Sequence, residues 1–415
     1  AVPMQGLHLT ADLYQCTGDT SIFIDEVALA DLCRHQTELS GLTIVGEKWV
    51  TFPEYQGEPG GVTGAILLAE SHLAIHTWPE RGGVTLDVYV CNFSDDNSGK
   101  AQQLLDGIIA AFNPTQIQRN HLIRGDQDEP SEAELLWENI NPDSVYGFRF
   151  KRRVLSKKTQ FQHLELLESK DLGLTLRLDG CLMTAENEEF FYHETLVHPA
   201  AISHPNPRNA LILGGGDGGA LEELLKHNTI ESATLVDLDA DVIEVSKTYL
   251  QRINKGALDN PRAKVLVGDG AQFIRETTEK FDLILLDLTD PETPAGPLYT
   301  PAFFAFCKKA LAEGGAMVIH LGAPFYEPEQ IRRLNTELRA VFAQVNAYGL
   351  HIPLYGAYWA MAVVSDSLIP TAIDAAEVEQ RIQQRDITEL QYYNNAVHGA
   401  LFALPTYYKK LLTTD

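Results

Sequence analysis

A carboxylate inside a run of glycines is the first feature of this sequence with chemical meaning. Residues 211–220 read Leu-Ile-Leu-Gly-Gly-Gly-Asp-Gly-Gly-Ala, so the end of a buried strand leads into a glycine turn that contains Asp217. Glycines let a backbone turn sharply and approach a ligand closely. Asp217 would repel a phosphate, so we expect this turn to bind a nucleoside that carries positive charge.

Further aspartates are predicted to follow strands at the same edge of a sheet. The full set is Asp217, Asp237, Asp269, Asp287 and Asp290. A single aspartate in such a position is most simply a helix N-cap. Five carboxylates at one rim repel each other unless a cation is bound, which again predicts a cationic ligand. Asp237 comes 23 residues after Gly214, and an acid at about this distance binds ribose hydroxyls in α/β nucleotide sites.

A second group of reactive side chains lies in the first half of the chain. Residues 70–80 read Glu-Ser-His-Leu-Ala-Ile-His-Thr-Trp-Pro-Glu, which places Ser71 after an apolar strand and His76 five residues later. Cys91 follows the next predicted strand. Taken singly, these are ordinary turn and edge residues. Together they predict a site at which the serine, the histidine and the cysteine converge.

The elements that must position these residues predict an α/β fold in several parts. Strands followed by helices over residues 1–125 predict a two-layer sandwich with an antiparallel sheet. Residues 126–145 are polar and turn-rich and predict a linker, with a short helix from Glu132 to Glu138. Alternating patterns over 146–200 predict a small domain of antiparallel β-hairpins. Strands alternating with helices over 201–415 predict a Rossmann-like parallel sheet.

Composition restricts the class of protein and of ligand. The chain has 415 residues, 45% of them hydrophobic, which is enough for more than one core. Its net charge of -25 argues against nucleic acid and anionic membranes as partners and suits a polycationic ligand. The five cysteines form no Cys-x-x-Cys pair, so neither a disulfide framework nor a zinc site is predicted. The sequence lacks signal-peptide features and a membrane-spanning apolar run, so we expect a cytoplasmic protein.

Several motifs of the second half resemble those of the polyamine aminopropyltransferases, which include the spermidine and spermine synthases. The resemblance covers about residues 146–366, and the motifs agree in order: Tyr192-His-Glu194, His204-Pro-Asn-Pro207, Gly-Gly-Gly-Asp-Gly-Gly from Gly214, and Asp287-Leu-Thr-Asp-Pro291. It implies a methyltransferase-type fold, decarboxylated S-adenosylmethionine as co-substrate, and no metal.

This resemblance implies how the nucleoside is held. Asp217 would attract the terminal ammonium of decarboxylated S-adenosylmethionine and repel the carboxylate of ordinary S-adenosylmethionine. Asp237 would bind both ribose hydroxyls and Asp269 the adenine amino group. Gln162 and His193 are cofactor contacts by family position.

It also implies how the aminopropyl group is transferred. An amine attacks the carbon next to the sulfonium, and methylthioadenosine leaves. Free alkylamines arrive protonated because their pKa is about 10.4. Asp287 is therefore the predicted base, while Tyr192 and Asp290 would hold the acceptor.

The identity of the acceptor stays open between putrescine and a longer amine such as spermidine or agmatine. Residues 351–359 read His-Ile-Pro-Leu-Tyr-Gly-Ala-Tyr-Trp, without the Tyr-Pro-Ser-Gly segment that is usual in spermidine synthases. The spacing resembles that of spermine and thermospermine synthases and makes Tyr355 and Trp359 candidates for substrate binding. Trp359 would serve equally well as a core residue.

The segment 70–80, with Gly6-Leu-His-Leu-Thr-Ala-Asp-Leu-Tyr14, resembles the bacterial and archaeal S-adenosylmethionine decarboxylases over most of residues 4–125. The resemblance implies that Ser71 attacks its preceding peptide bond, which is cut after Glu70. Ser71 then becomes a pyruvoyl group, whose carbonyl is the electron sink for decarboxylation.

The same resemblance assigns four further roles in the first half. His76 would assist processing, and Cys91 would return a proton to the substrate. Glu80 would bind the ribose hydroxyls. Tyr55 stands where an aromatic stacks on adenine, in a loop that is longer than the family's. Relatives of this family act on ornithine or arginine, so the amino acid that this domain decarboxylates stays open between these and S-adenosylmethionine.

These motifs favour a fused enzyme that makes decarboxylated S-adenosylmethionine and then uses it. The alternative is an aminopropyltransferase alone, with the first domain serving dimerisation. A methyltransferase is disfavoured by Asp217, and a polyamine-binding regulator is disfavoured by the intact acids at the strand ends. Both families are usually dimers or larger, so a homodimer or a larger assembly of identical chains is expected.

Overall fold

The computed structural model describes residues 6–54, 56–69, 71–92, 96–125, 134–289 and 298–413. The chain forms two compact units, Ala1–Ser131 and Glu132–Asp415. The boundary between the units falls inside the segment that the sequence predicts as a linker.

The first unit is an antiparallel sheet with helices packed on one face. Its strands are β1 Gly6–Tyr14, β2 Ile44–Thr51, β3 Val62–Leu68, β4 Ser71–Trp78, β5 Gly83–Cys91 and β6 Gln116–Arg124, and its helices are α1 Ser21–Ile24, α2 Glu26–Leu39 and α3 Ser98–Phe112. The strand order is β2-β3-β4-β5-β1-β6. Alternate residues of β1, such as Leu9 and Leu13, are buried with Leu29 of α2 and Leu105 of α3 in one core. The predicted two-layer sandwich is confirmed.

The second unit begins with antiparallel strands. The strands are β7 Glu134–Asn141, β8 Ser144–Phe150, β9 Arg152–Lys158, β10 His163–Ser169, β11 Gly173–Leu178 and β12 Cys181–Ala185. β7 pairs with β8, and the other strands form a sheet in the order β12-β11-β10-β9. The helix predicted from Glu132 to Glu138 is wrong over its described part. Pairing across the short turn at Pro142 and Asp143 overrides the weak local helical pattern.

The rest of the second unit is a mostly parallel sheet with helices on its faces. Its strands are β13 Asn209–Gly214, β14 Ser232–Asp237, β15 Ala263–Val267, β16 Phe281–Asp287, β17 Leu311–Gly322, β18 Gln344–Ile352 and β19 Ala357–Ser365. Its helices are α4 Phe190–Ser203, α5 Gly219–Leu225, α6 Ala240–Tyr249, α7 Gln251–Asn254, α8 Gly270–Glu276, α9 Pro301–Ala310, α10 Pro328–Val341, α11 Ala375–Gln384, α12 Asn395–Leu401 and α13 Thr406–Leu412.

This sheet has the order β15-β14-β13-β16-β17-β19-β18. The strands from β15 to β17 run parallel, and β19 is antiparallel to both of its neighbours. The predicted Rossmann-like sheet is confirmed, whereas the antiparallel pair β18–β19 was not predicted. Among the helices that the structure describes, none has the length and apolar character needed to cross a bilayer.

Candidate active site

Four of the five predicted acids of the second unit line a single cavity at the carboxyl ends of the parallel strands. Asp237 ends β14 and Asp287 ends β16, and β13, which leads into the glycine turn, lies between these two strands. The cavity has a volume of about 410 Å³. Its lining includes the predicted site residues Gln162, Tyr192, His193, Asp217, Asp237, Asp269, Asp287 and Tyr355. This placement matches the rule that ligands of open α/β sheets bind at the carboxyl ends of the strands.

Glycine is required in the turn because carboxylates pack directly against its backbone. A Cβ atom at Gly215 would lie 2.7 Å from Asp287 Oδ2, and one at Gly216 would lie 2.7 Å from Asp237 Oδ2. Gly215 also has a positive φ of 69°. The turn is closed by Asp217, whose Oδ1 accepts a hydrogen bond from Gly219 N at 2.6 Å. The turn therefore brings three acids together at one point.

Asp237 is held by the backbone in a position suited to a diol. Gly216 N donates to its Oδ2 at 2.9 Å, and Asp239 N donates to its Oδ1 at 2.9 Å. Burial raises the pKa of Asp237 to about 6, although these two hydrogen bonds oppose the shift. Each oxygen keeps a further lone pair with which to accept a hydroxyl proton.

Tyr192 and Asp287 form the centre of the site. The Tyr192 hydroxyl donates to Asp287 Oδ1 at 2.9 Å. Within the described part of the chain, Asp287 Oδ2 is buried and has no hydrogen-bond partner. Burial, followed by repulsion from Asp217, raises the pKa of Asp287 to about 7. An enclosed carboxylate with an unsatisfied oxygen and a pKa near neutrality is suited to accept a proton.

His193 lies between two carboxylates. Its Nδ1 hydrogen-bonds to Glu189 Oε2, and its Nε2 lies 3.4 Å from Asp217 Oδ1. Burial alone would lower the pKa of His193, but Asp217 and Glu189 outweigh it and raise this pKa to about 10. The imidazolium therefore holds Asp217 in place. Glu189 was not predicted as a site residue, although its position four residues before His193, directly before helix α4, was a usable signal.

Two of the predicted nucleoside contacts also have structural roles. Gln162 Nε2 donates to Asp239 Oδ2 at 3.0 Å, and Thr159 Oγ1 donates to the same oxygen at 2.7 Å. Asp239 was missed as a site residue, even though it lies two residues after Asp237. Asp269 caps α8 by accepting from Ala271 N at 2.8 Å, so the N-cap interpretation holds for it alongside its place in the cavity wall.

A smaller cavity of about 60 Å³ lies beside the first, and both are lined by Met183, Leu288, Thr289 and Tyr355. The smaller one is also lined by Trp359, which is 8% exposed and lies 4.7 Å from Tyr355 between ring centroids. Glu138 and Glu327 add carboxylates to its wall. This lining of aromatic rings and acids is suited to an alkyl chain that ends in an ammonium group.

The structure leaves one predicted site residue undescribed and gives one motif residue another role. Asp290 lies outside the described residues. Glu194 instead accepts hydrogen bonds from the backbone N–H groups of Gln391, Tyr392 and Tyr393, at 2.6 to 2.8 Å. Glu194 therefore anchors the C-terminal segment to α4.

In the first unit, Ser71 and Cys91 lie side by side. Ser71 begins β4, and its Oγ accepts a hydrogen bond from Cys91 N at 2.7 Å. Glu80 is exposed in a short turn after β4. Glu70 and Tyr55 lie outside the described residues, so the structure describes neither the cleavage partner nor the predicted stacking residue.

His76 does not join Ser71 and Cys91 within one chain. It lies five residues beyond Ser71 on β4, a separation of about 17 Å in an extended strand, and points to the opposite face of the sheet. His76 Nδ1 lies 2.9 Å from Thr63 Oγ1 of the neighbouring strand. The sequence predicts that the three side chains converge on one site, and the structure does not bring His76 to Ser71 within one chain, because a spacing of five residues along a continuous strand puts the two side chains on opposite faces.

The sequence matches two protein families. Residues 189–377 match the spermine/spermidine synthase domain, and residues 7–125 match S-adenosylmethionine decarboxylase. The polyamine aminopropyltransferase of Nitrosomonas europaea is 40% identical over 276 residues, which cover 66% of this chain and 85% of that protein. Polyamine aminopropyltransferase 1 of Bacillus cereus is 40% identical over 280 residues, which cover 67% of this chain and 99% of that protein.

Solved structures give the same result for the second unit. The spermidine synthase from Thermotoga maritima is 34% identical with a TM-score of 0.64, and the match covers 68% of this chain and 96% of that chain. A spermidine synthase in complex with the transition state analogue AdoDATO is 33% identical with a TM-score of 0.64, and the match covers 69% of this chain and 98% of that chain.

Proposed function

The chain belongs to the polyamine aminopropyltransferases and carries a domain of the S-adenosylmethionine decarboxylase family in front, and on this premise we propose how it works. We propose that Asp287 is the base of the transfer step. The observation that carries this proposal is the buried Oδ2 of Asp287, which has no partner among the described residues and lies beside the glycine turn. The first half would supply the co-substrate that the second half uses.

The transfer is a direct displacement. Asp287 holds the acceptor's ammonium group and takes its proton, and Tyr192 keeps the carboxylate oriented through its 2.9 Å hydrogen bond. The free amine then attacks the carbon next to the sulfonium. The C–S bond breaks, its electrons return to sulfur, and neutral methylthioadenosine leaves. The sulfonium is already a good leaving group, so the absence of a metal requirement stays our prediction.

Asp217 would discriminate between the two forms of the nucleoside. Its carboxylate attracts the ammonium of the decarboxylated form and repels the carboxylate of S-adenosylmethionine. The imidazolium of His193, 3.4 Å away, fixes its position. Asp237 would bind the ribose hydroxyls, with Gln162 and Asp269 completing the nucleoside site.

Replacing Asp217 with asparagine tests this discrimination. Asparagine keeps the side-chain oxygen that accepts from Gly219 N, so the turn retains its hydrogen bond. We expect the KM for decarboxylated S-adenosylmethionine to rise about tenfold or more, while the inhibition constant of S-adenosylmethionine falls or stays unchanged. Steady-state kinetics measures both constants. Equal shifts in both would contradict the assignment.

The raised pKa of Asp287 predicts a pH dependence. A protonated carboxyl cannot accept a proton, so activity should fall as pH drops through about 7 when both substrates are far below their KM values. Saturation with the cationic nucleoside should move this fall in activity to lower pH, because the positive charge favours the ionised form of Asp287. Rate measurements between about pH 5.5 and about pH 9 test both statements. If saturation with the nucleoside leaves the pH of this fall unchanged, Asp287 is not the group that accepts the proton.

The acceptor would extend from Asp287 into the smaller cavity. Aromatic rings of Tyr355 and Trp359 would pack on its methylene groups, and Glu138 and Glu327 would lie near its far ammonium. We therefore propose an alkyl amine with at least two ammonium groups as the acceptor class. Competition among putrescine, agmatine and spermidine in one reaction identifies the preferred member.

For the first unit we propose self-cleavage before Ser71 and decarboxylation of S-adenosylmethionine. Ser71 fits a processing site because it begins β4 with its hydroxyl next to the backbone of Cys91. A pyruvoyl group formed there supplies the carbonyl electron sink for loss of CO₂. Cys91 would deliver a proton to the decarboxylated carbon, and Glu80 would bind the ribose.

The distance between Ser71 and His76 supports a homodimer. A histidine about 17 Å away along the same strand cannot assist the serine of its own chain. We therefore propose that His76 acts on Ser71 of a second copy.

Cytoplasmic localisation stays a prediction.

A further inference from the structure

Two buried side chains form hydrogen bonds with the backbone that follows Asp287. His320, on β17, is 4% exposed, and Tyr299, just before α9, is 2% exposed. His320 Nε2 lies 2.6 Å from the carbonyl oxygen of Leu288 and 3.0 Å from Tyr299 Oη. Tyr299 Oη lies 2.8 Å from the carbonyl oxygen of Thr289. The two carbonyls directly after Asp287 thus each contact one of these side chains.

The chemistry of these groups fixes which atoms carry protons. Carbonyl oxygens only accept hydrogen bonds, so His320 Nε2 must carry a proton and the Tyr299 hydroxyl must donate to Thr289. The His320 proton is then shared between the Leu288 carbonyl and the Tyr299 oxygen. Each carbonyl therefore accepts a hydrogen bond from a buried side chain, and replacing that side chain removes a contact that holds the backbone after Asp287.

Leu288 and Thr289 lie where the two cavities meet. Leu288 and Thr289 line both the larger and the smaller cavity. His320 lines the smaller one and stacks on Trp359, with ring centroids 6.0 Å apart and planes inclined by 23°. In the described lining, the nucleoside contacts Asp217 and Asp237 belong to the larger cavity only.

We propose that His320 and Tyr299 are positioning residues for the acceptor amine. They hold Leu288 and Thr289 so that an amine entering from the smaller cavity meets Asp287, and neither side chain belongs to the described lining of the larger cavity that contains Asp217 and Asp237. This inference rests on the proposed direction of acceptor entry. It assigns His320 a role that depends on a donated hydrogen bond and not on charge.

Two variants of His320 separate donation from packing. His320→Leu fills the space but cannot donate, and we expect it to raise the KM for the amine about tenfold, the size of a lost hydrogen bond. The KM for decarboxylated S-adenosylmethionine should stay within about twofold. His320→Gln carries an amide N–H in a similar place and should restore the amine KM. Tyr299→Phe removes the hydroxyl that donates to the Thr289 carbonyl. It should raise the KM for the amine and leave the KM for decarboxylated S-adenosylmethionine unchanged.

The matched control is His351→Leu, since His351 is exposed on β18 and should leave both constants unchanged. Wild-type amine KM in His320→Leu, equal rises in both KM values, or failure of His320→Gln to restore binding would overturn the proposal. If His320→Leu does not fold, Tyr299→Phe decides by the same criterion. Absence of aminopropyl transfer by the wild-type chain would instead refute the proposed function.

Discussion

Replacing Asp287 with asparagine will lower kcat for aminopropyl transfer by about 10³-fold, within the range that general-base catalysis contributes. Asparagine keeps the shape of the side chain and can still accept the Tyr192 hydrogen bond, but it cannot take a proton from an ammonium group. The product methylthioadenosine is neutral, so its dissociation constant should change little. Rates of its release, measured with saturating substrates, and equilibrium binding of the same product give the two values.

The matched control is Asp259→Asn. Asp259 has a side-chain exposure of 71% and contacts only a surface lysine, Lys247, among the ion pairs of the described chain. Exposed pairs contribute little to stability, so this variant should behave as wild type. Turnover by Asp287→Asn within about tenfold of the control would mean that another group accepts the proton.

Replacing Ser71 with alanine will leave the chain uncut and abolish decarboxylation, because no hydroxyl remains to attack the preceding peptide bond. The second unit forms its own cores, so aminopropyl transfer from added decarboxylated S-adenosylmethionine should persist. Denaturing mass spectrometry measures the cleavage, and released CO₂ measures the decarboxylation. Ser21→Ala, in helix α1 of the same unit, is the matched control and should be cut as wild type.

Mixed dimers test the proposed exchange of His76. Neither Ser71→Ala nor His76→Ala should be processed alone. Co-expression should restore cleavage of the His76→Ala chain, since its intact Ser71 would face an intact His76 of the other copy. Cleavage of His76→Ala chains expressed alone, or no restoration in the mixture, would show that His76 does not act across the dimer.

Sequence order could predict the acids of the second unit because of a general property of parallel sheets. Asp237 and Asp287 each end a buried strand, and neighbouring parallel strands bring their carboxyl ends to one edge. The glycine turn follows strand β13, so it predicted in the same way that Asp217 lies at this edge. Local pattern and tertiary structure agree at these positions.

Other parts of the site depend on contacts that sequence spacing does not encode. His320 meets Leu288 from another strand, 32 residues away. Strand β7 lies in the segment that is predicted as linker and short helix, because its stability comes from pairing with β8 and not from a local pattern. Ser71 and His76 were expected to meet because the continuous strand β4 between them was not anticipated.

The most direct test of the fused two-step account uses the purified wild-type chain with S-adenosylmethionine and an amine mixture as the only substrates. We predict that CO₂, methylthioadenosine and an aminopropylated amine all form without added decarboxylated S-adenosylmethionine. If methylthioadenosine forms only when the decarboxylated compound is supplied, the first unit is not a working decarboxylase, and this chain does not make the co-substrate that it uses.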